Sequence, residues 1–457
     1  MRLKFLLPVF LLVPILSIAQ YNWQALPEAP KSWRCDDFFF LNANLGWAIN
    51  PVYSYVYPSQ YGRIFKTTDG GNTWQLLKDS SATFYRSIGF ADSLTGWVGN
   101  LGYFSAVSRD TNVLYQTSDG GITWMPAKIP YPHPVGICGI SVVNSYVVYA
   151  YGPYYGPAGY LKTTDKGVTW TYKDMSAYAG GLVDGYFFSP DTGFISGTGN
   201  DGKALILHTT DGGITWNACY HATRTGTEIV WKLSFPSKNI AYASIENLSS
   251  TSRNDFFLKS VDGGITWVEH SFVYDYDEEG IGFINDSVGW IGGDNTKPTY
   301  GTIDGGETWF SDSTFGVLTP PYQDYIPEGY LPGFAINRFR RFGDTLMYAS
   351  GNTVYKLNTR VKPTEANLLQ NEAFTVGNYP NPFDRQTTIS FQMPRPDVNV
   401  MLDIFDISGR RIFSENLGPL NKGGHHIIYN TNLQNGIYFY SISTANFKIS
   451  KAMIVSH

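Results

Sequence analysis

The chain has 457 residues, enough for two or three domains with ample core. Charged residues make up 16% and aromatics also 16%, with 32 Tyr, 29 Phe, 12 Trp and 47 Gly, the profile of an extracellular all-β protein. A net charge of −5, with no Lys/Arg run longer than two, excludes a phosphate-tracking surface, and nucleic acid is not an expected partner.

Residues 1–19 read as a secretory leader: Arg2 and Lys4 give the positive start, Phe5 to Ile18 the apolar stretch, and Ser17-Ile18-Ala19 a small-residue site before Gln20. The run is short and broken by Pro8 and Pro14, which argues against a membrane anchor. No other run is long and apolar enough to span a bilayer, so no transmembrane segment is expected in the mature chain. Cys35, Cys138 and Cys219 lie too far apart for a disulfide framework or a metal motif, and are expected as buried small hydrophobes with at most one bridge.

The pattern Ser/Thr-x-Asp-x-Gly-x-x-Trp then recurs six times, with Asp69/Trp74, Asp119/Trp124, Asp165/Trp170, Asp211/Trp216, Asp262/Trp267 and Asp304/Trp309. Spacings of 50, 46, 46, 51 and 42 between the aspartates are the period of a four-stranded propeller blade. A second repeat places an apolar residue seven positions before an aromatic: Phe40/Trp47, Phe90/Trp97, Val142/Tyr149, Phe187/Phe194, Phe235/Tyr242 and Phe283/Trp290. A seventh copy ends at Tyr348, with Arg341 in the apolar place. Seven units against six octads locate the ring closure. Asn22-Trp23-Gln24-Ala25-Leu26 matches Thr73-Trp74-Gln75-Leu76-Leu77, so the N-terminal strand is expected to complete the last blade and remove the free sheet edges. Each octad is expected at the turn between the third and fourth strands, where Gly71 takes positive φ, Asp69 accepts amide hydrogen bonds and Trp74 buries its ring.

These octads resemble the Asp-box, or BNR, repeats of sialidase-type propellers. The whole unit, GWxxG followed by TTDGGxTW, is most similar to the seven-bladed photosystem II assembly factor-like family. That resemblance covers roughly residues 21 to 357 and implies a structural, peripheral role for the boxes. Sialidases grip a carboxylate with three arginines, but no FRIP-like segment stands near the start, and Arg63-Ile64-Phe65 belongs to a third strand. Arg86 and Arg338 are scattered arginines that would have to converge at the axis. A hydrolase would draw on Asp36, Asp37, Asp184, Glu228, Asp275, Asp277, Glu278 or Glu279. The bland alternative is that these acids are solvated in loops. His133 lies between prolines and His425 and His426 fall beyond the propeller, while HExxH, GxSxG and P-loop patterns are all lacking. No catalytic residue, metal or cofactor is assigned.

The long connections belong on the face opposite the octads and are rich in Tyr and Pro: Pro51 to Gly62, Tyr151 to Tyr160 and Thr319 to Gly333. Tyr53, Tyr55, Tyr57, Tyr154, Tyr155, Tyr322 and Tyr325 are therefore the candidate surface for a protein or glycan ligand. Packing of those rings onto the blades is the equal alternative.

Residues 359–376 read as a polar linker, after which 377–457 write a small antiparallel β-sandwich, Ig-like in class, with strands at 387–393, 399–406, 425–430, 436–442 and 447–455. Its motifs are Tyr379-Pro380-Asn381-Pro382-Phe383, a turn at Gly409, Gly436 and Tyr438 in NGIYFYSI, and Lys448 and Lys451 in the last strand. In order and spacing they are similar to the type A C-terminal sorting domain of the type IX secretion system of Bacteroidota. That resemblance implies passage through the type IX machinery and a secreted or surface-attached product. The combined expectation is a signal peptide (1–19), a seven-bladed propeller (20–358) acting as an interaction module, a linker and a sorting domain. A secreted glycoside hydrolase, sialidase-like or glucanase-like, is the alternative.

Overall fold

The computed structural model describes residues 21–32, 34–53, 60–81, 83–101, 110–248, 255–274, 276–293, 298–315, 336–343, 346–359, 376–393, 396–406, 411–444 and 448–457. The expected leader and all but the ends of the expected linker lie outside them. The chain forms two compact units, residues 1–359 and 360–457.

The first unit consists of seven four-stranded antiparallel sheets. Their inner strands are Asp37–Phe40, Tyr85–Phe90, Gly139–Val142, Gly181–Phe187, Glu228–Ser234, Glu278–Phe283 and Ile336–Phe342. Each inner strand packs on the next, and the seventh packs on the first, so the ring is closed. Closure follows the expected route: Tyr21–Ala25 pairs with Val354–Thr359 as the outer strand of the seventh blade. Its register repeats that of the first blade, where Lys66 faces Gln75, because Lys356 faces Gln24. Trp23 is buried, stacked on Phe315 at 4.8 Å and edge-on to Trp290 at 5.2 Å.

The second sequence repeat is an inter-blade stack. Trp47 lies flat on Phe90 of the following blade at 3.5 Å, Tyr149 on Phe187 at 4.0 Å and Tyr242 on Phe283 at 3.5 Å. Tyr348 lies on Phe40 at 4.0 Å and so carries the pattern from the last blade to the first. Seams of this kind bury large ring areas between blades.

The octad tryptophans come edge-on to the same seams. Trp74 meets Phe40 at 6.1 Å, Trp124 meets Phe90 at 5.9 Å, Trp216 meets Phe187 at 6.4 Å, Trp267 meets Phe235 at 6.2 Å and Trp309 meets Phe283 at 6.3 Å. Trp170 departs from this pattern. Its own blade carries Val142 in the phenylalanine's place, and the ring instead stands edge-on to Trp97 of the preceding blade at 6.1 Å. Burial of the octad rings, expected from the sequence, also divides the set. Trp124, Trp170 and Trp216 are buried, whereas Trp74, Trp267 and Trp309 stay partly exposed. The physical reason is position: each ring precedes the outermost strand of its sheet, so cover on its far side depends on what the neighbouring blade supplies.

Each octad occupies the turn between third and fourth strands. Thr67 Oγ1 donates to Asp69 at 2.9 Å and accepts from the Gly71 amide at 2.9 Å, while Asp69 accepts from the Thr73 amide at 2.9 Å and the Thr73 hydroxyl at 2.6 Å. Asp262 and Asp304 accept the equivalent pairs from Thr266 and Thr308 at the same distances. Gly70 and Gly71 sit at φ 74° and 93°, where a Cβ on Gly71 would strike Leu26. In the third octad Lys166 takes the first of these positions at φ 62°. Within the first blade, the Gly70 amide donates to Asn44 in the turn after the inner strand, so these short turns share the octad face.

The second unit has two antiparallel sheets, Val376–Tyr379, Gln386–Met393 and Gly423–Asn430 in one, and Arg411–Leu420, Asp397–Phe405, Gly436–Ser443 and Lys448–Val455 in the other. They enclose one core, with Ile389, Phe391 and Met393 from the first facing Leu402, Ile404 and Ile442 from the second. Two strands exceed the sequence expectation. Arg411–Leu420 is a largely exposed edge strand that contains Gly418 and Pro419, so it lacks the apolar alternation by which the other strands are read. Val376–Tyr379 is short and sits at the other sheet's edge.

Candidate functional site along the axis

The inner strands are buried at least over their first halves, yet they carry charged residues. Five of them share an irregularity near the start, a register shift at Arg86, Val183, Trp231, Glu279 and Asn337. An extra residue of this kind re-aims its side chain out of the pleat. The result is a set of contacts around the axis, some of them between blades that are not neighbours. Arg86 of the second blade lies over the Trp231 ring of the fifth at 5.6 Å and pairs with Asp36. Arg34 bridges Asp36 and Glu279, the latter at 2.8 Å, and Asn337 donates to the second Glu279 oxygen.

Deeper along the axis, Arg338 of the seventh blade reaches Asp184 of the fourth at 2.7 Å and Asp37 of the first at 3.2 Å. Arg340 grips Asp37 with Nε and Nη2 at 3.2 and 2.9 Å, and the Ile88 amide donates to the same carboxylate. Burial alone would raise the Asp184 pKa, but Arg338, Lys232 and the Leu233 amide outweigh it and hold the carboxyl below its usual range. Lys232, also buried, lies over Trp231 at 5.6 Å. Burial, reinforced by Arg338, pulls its pKa down to about 7. Glu246, which accepts from the Trp231 indole, is pushed up to about 8 by burial and by Glu279.

The hydrolase candidates are thus placed. Asp36, Asp37, Asp184 and Glu279 meet at the axis, each bound to an arginine, and Arg86 and Arg338 do converge there. Glu228 is held by Arg224 through two contacts of 2.8 Å. Glu278 is buried, accepts from the Ile245 amide and is pushed well up by burial and by Asp255. Asp277 is half-buried, and Asp275 lies outside the described residues. Among the described residues no three His, Cys, Asp or Glu side chains group as a metal site requires. The three cysteines are not joined by any disulfide among the described residues.

Of the candidate tyrosines, Tyr154 and Tyr155 stand on the loop face, half-buried and edge-on to each other at 4.9 Å. Tyr154 also packs against Trp231 at 5.7 Å, next to the axial ion pairs, and the Tyr155 hydroxyl donates to Leu101 at 3.4 Å. Tyr53 lies in a second strand, and Tyr55, Tyr57, Tyr322 and Tyr325 fall outside the described residues. At the other end, a cavity of about 340 Å³ opens among the last residues of the inner strands, with Phe39, Tyr186, Phe235, Arg338, Arg340 and Arg341 in its wall. Sequence reasoning directed attention to the loop face and missed this octad-side opening, along with Trp231, Lys232 and Glu246. The available signal was a charged residue inside an otherwise apolar strand, as in EIVWKLS or INRFRRF.

In the second unit the NYPNPF segment is tied to the final strand. Asn381 accepts from the Ile454 amide at 2.7 Å, the Phe383 amide donates to the Ile454 carbonyl at 3.0 Å, and Phe383 itself is buried. Thr387 donates to the Pro380 carbonyl at 2.7 Å, Lys451 to Val376 at 3.2 Å and Tyr438 to Gln434 at 3.0 Å, while Tyr379 is exposed. Pro382 lies in the same segment and Gly436 opens a strand. Gly409 and the Lys448 side chain are outside the described residues.

Residues 378–456 match the family described as the secretion system C-terminal sorting domain. Such a tail marks the chain for export through type IX secretion to the cell surface or beyond it. No helix among the described residues is long and apolar enough to cross a membrane. No curated protein matches the chain. Among solved structures, the first unit resembles YCF48 bound to D1 peptide, at 16% identity and a TM-score of 0.50, covering 75% of this chain and 98% of that one. YCF48 from Cyanidioschyzon merolae is similar at 15% identity and TM-score 0.50, with 75% and 100% covered. An α-L-arabinanase of Penicillium chrysogenum complexed with arabinobiose follows at 12% identity and TM-score 0.37, with 73% and 99% covered. At these identities the YCF48 likeness shows the propeller fold alone.

Proposed function

We propose that this exported cargo carries its propeller as a binding module that works at the cell surface or outside the cell, and that the tyrosine loops opposite the octads form its contact surface. The observation that carries the reading is the pairing of the axial acids. Asp36, Asp37, Asp184 and Glu279 are each paired with an arginine, which supports a structural role for them over that of nucleophile or base. Tyr154 and Tyr155 remain half-exposed at the loop end of the axis, with Trp231 beneath, and supply rigid ring area at low entropy cost. Tyr53, Tyr55, Tyr57, Tyr322 and Tyr325 complete the surface in this reading. A peptide ligand fits such a face, as a propeller of the same fold, YCF48, is found with a D1 peptide.

Replacing Tyr154 and Tyr155 with Ser in the full-length chain, followed by pull-down and glycan-array binding, tests the proposal. Loss of binding with an unchanged melting temperature supports it, and retained binding ends it. Deleting residues 375–457 tests the address separately: the truncated product is expected to remain in the periplasm.

A further inference from the structure

In the second unit the strand Gly436–Ser443 is apolar on both of its faces. One set of its side chains serves the core: Tyr440 and Ile442 are buried in it and Tyr438 packs against it. The alternate set points the other way, as the period of two requires, and Ile437 and Phe439 stand 50% and 42% exposed. In the neighbouring strand Ile454 lies directly opposite Ile437 and is 40% exposed, and the exposed Ala452 lies opposite Phe439. On the other side Phe439 faces the half-buried Phe405. The apolar stretch ends at Asp403, which lies opposite Ser441 and accepts from Ser414 at 2.7 Å.

The other sheet of the unit carries a different outward face. Gln386, Thr388, Ser390, Gln392 and His426 point outwards there, with Ile428 the aliphatic exception. The core of the unit therefore accounts for Tyr438, Tyr440 and Ile442 but not for Ile437, Phe439 and Ile454. Exposed apolar residues gathered in one patch mark a contact surface.

The place of Ile454 is fixed from the edge of the sheet. Its amide donates to Asn381 at 2.7 Å and its carbonyl accepts from the Phe383 amide at 3.0 Å, while the Ser456 amide donates to the Phe383 carbonyl at 2.8 Å. The NYPNPF segment thus occupies the outer edge of the last strand at this end, so an added strand finds its backbone groups already taken. With both Ile454 backbone groups turned to the edge, Ile437 and Ile454 form a non-hydrogen-bonded pair, the kind whose side chains approach most closely. The face stays open where the edge is closed.

We propose that Ile437, Phe439 and Ile454 form the face by which the tail is recognised during export, packing against an apolar surface of the type IX machinery without adding a strand to it. The occupant follows from the family match: residues 378–456 match a sorting domain, which implies recognition by that machinery, and the patch lies wholly within those residues. The proposal rests on the tail's role as an address and is independent of the tyrosine-face reading.

The test expresses the full-length chain in a bacterium with a type IX system and compares the fraction on the surface and in the medium with the fraction in the periplasm. Ile437→Ser/Phe439→Ser/Ile454→Ser is expected to lower the delivered fraction at least about tenfold, as loss of the centre of a contact surface does. Because all three side chains are exposed, its melting profile is expected to stay that of the parent. Ile437→Val/Phe439→Leu/Ile454→Val keeps the face apolar and is expected to be delivered like the parent. Val398→Ser/Ile428→Ser, which removes exposed aliphatic residues elsewhere in the unit, is expected to be delivered like the parent as well. Parental delivery of the triple Ser variant overturns the assignment, and so does an equal loss in the Val398/Ile428 control. A changed melting profile of the triple Ser variant overturns it too, by giving the three residues to the fold. Deletion of residues 375–457 separates the two levels: a delivered truncated chain ends the address itself, whereas a stranded one beside a delivered triple Ser variant ends only the face.

Discussion

Arg338 on the seventh inner strand donates to Asp184 on the fourth at 2.7 Å, and so ties together blades that share no seam. Both residues are buried, and Arg338 also serves Asp37. Removing one member of a buried pair strands the other's charge, a loss of about 3–5 kcal/mol. Arg338→Met is therefore expected to lower the unfolding free energy of the full-length chain, read from urea denaturation, by about that amount, with Asp184→Asn smaller. The double variant Arg338→Met/Asp184→Asn should cost less than the sum of the two single changes, because it removes both charges of the pair and leaves Asp37 held by Arg340. Strict additivity would show that the axis is not one network.

Trp23 makes the strongest case for closure by the N-terminal strand. It contacts Phe315, Trp290 and Phe339 in a core drawn from the sixth and seventh blades. Trp23→Ala is expected to cost about 3–5 kcal/mol. Because the strand pairs only along one side, the variant should also become sensitive to limited proteolysis near residue 25 before the rest of the propeller unfolds. Simultaneous loss of all blades would instead place the closure among the most stable parts of the ring.

The octad acids favour the folded chain above their own titration range. Thr73 hydroxyl and amide donation hold Asp69 at about 2, and the equivalent threonines do the same for Asp119, Asp165 and Asp211. These folded values lie below the ordinary 3.8, so their contribution is whole above about pH 4. It is lost as pH falls through about 2. Thr73→Val removes the hydroxyl donor, and carboxyl-carbon NMR should show Asp69 titrating closer to its ordinary value with the other octads unmoved.

What was legible in the sequence was everything that repeats. A stack such as Trp47 on Phe90 recurs in every seam where both rings are present, so its period is written along the chain. Closure at Trp23 was legible for the same reason, as the missing copy of a repeated strand. How deeply an octad ring is buried was not, since Trp216 and Trp267 share one motif and differ in the cover their neighbours give. The axial chemistry does not repeat: Arg86, Trp231, Glu279 and Asn337 occupy equivalent bulges with four different side chains. Their partners lie in distant blades, and Arg338 and Asp184 are 154 positions apart. No local pattern encodes such a meeting. Arg341 illustrates the boundary, since it reads as a lapse in the apolar repeat and turns out to line a cavity.

Lys232 and Glu246 sit in that non-repeating interior and titrate in opposite senses. Lys232 falls from 10.5 to about 7 through burial and the nearby Arg338 and Arg86, partly offset by Asp184. Between about pH 7 and 10.5 the unfolded chain therefore holds a proton that the folded chain lacks, and stability rises with pH. Glu246 moves from 4.5 to about 8 through burial, Glu279 and Asp277, against the Trp231 indole and Arg34. Between those values the folded chain holds the extra proton, so stability falls as pH rises. Together the two groups predict a dip near neutral pH. Urea unfolding of the full-length chain from pH 5 to 10 should show Lys232→Met flattening the alkaline limb and Glu246→Gln the acidic one, each leaving the other limb in place. If Lys232→Met leaves the alkaline limb as steep as in the parent, the lysine is not desolvated between Trp231 and Arg338 as the structure places it.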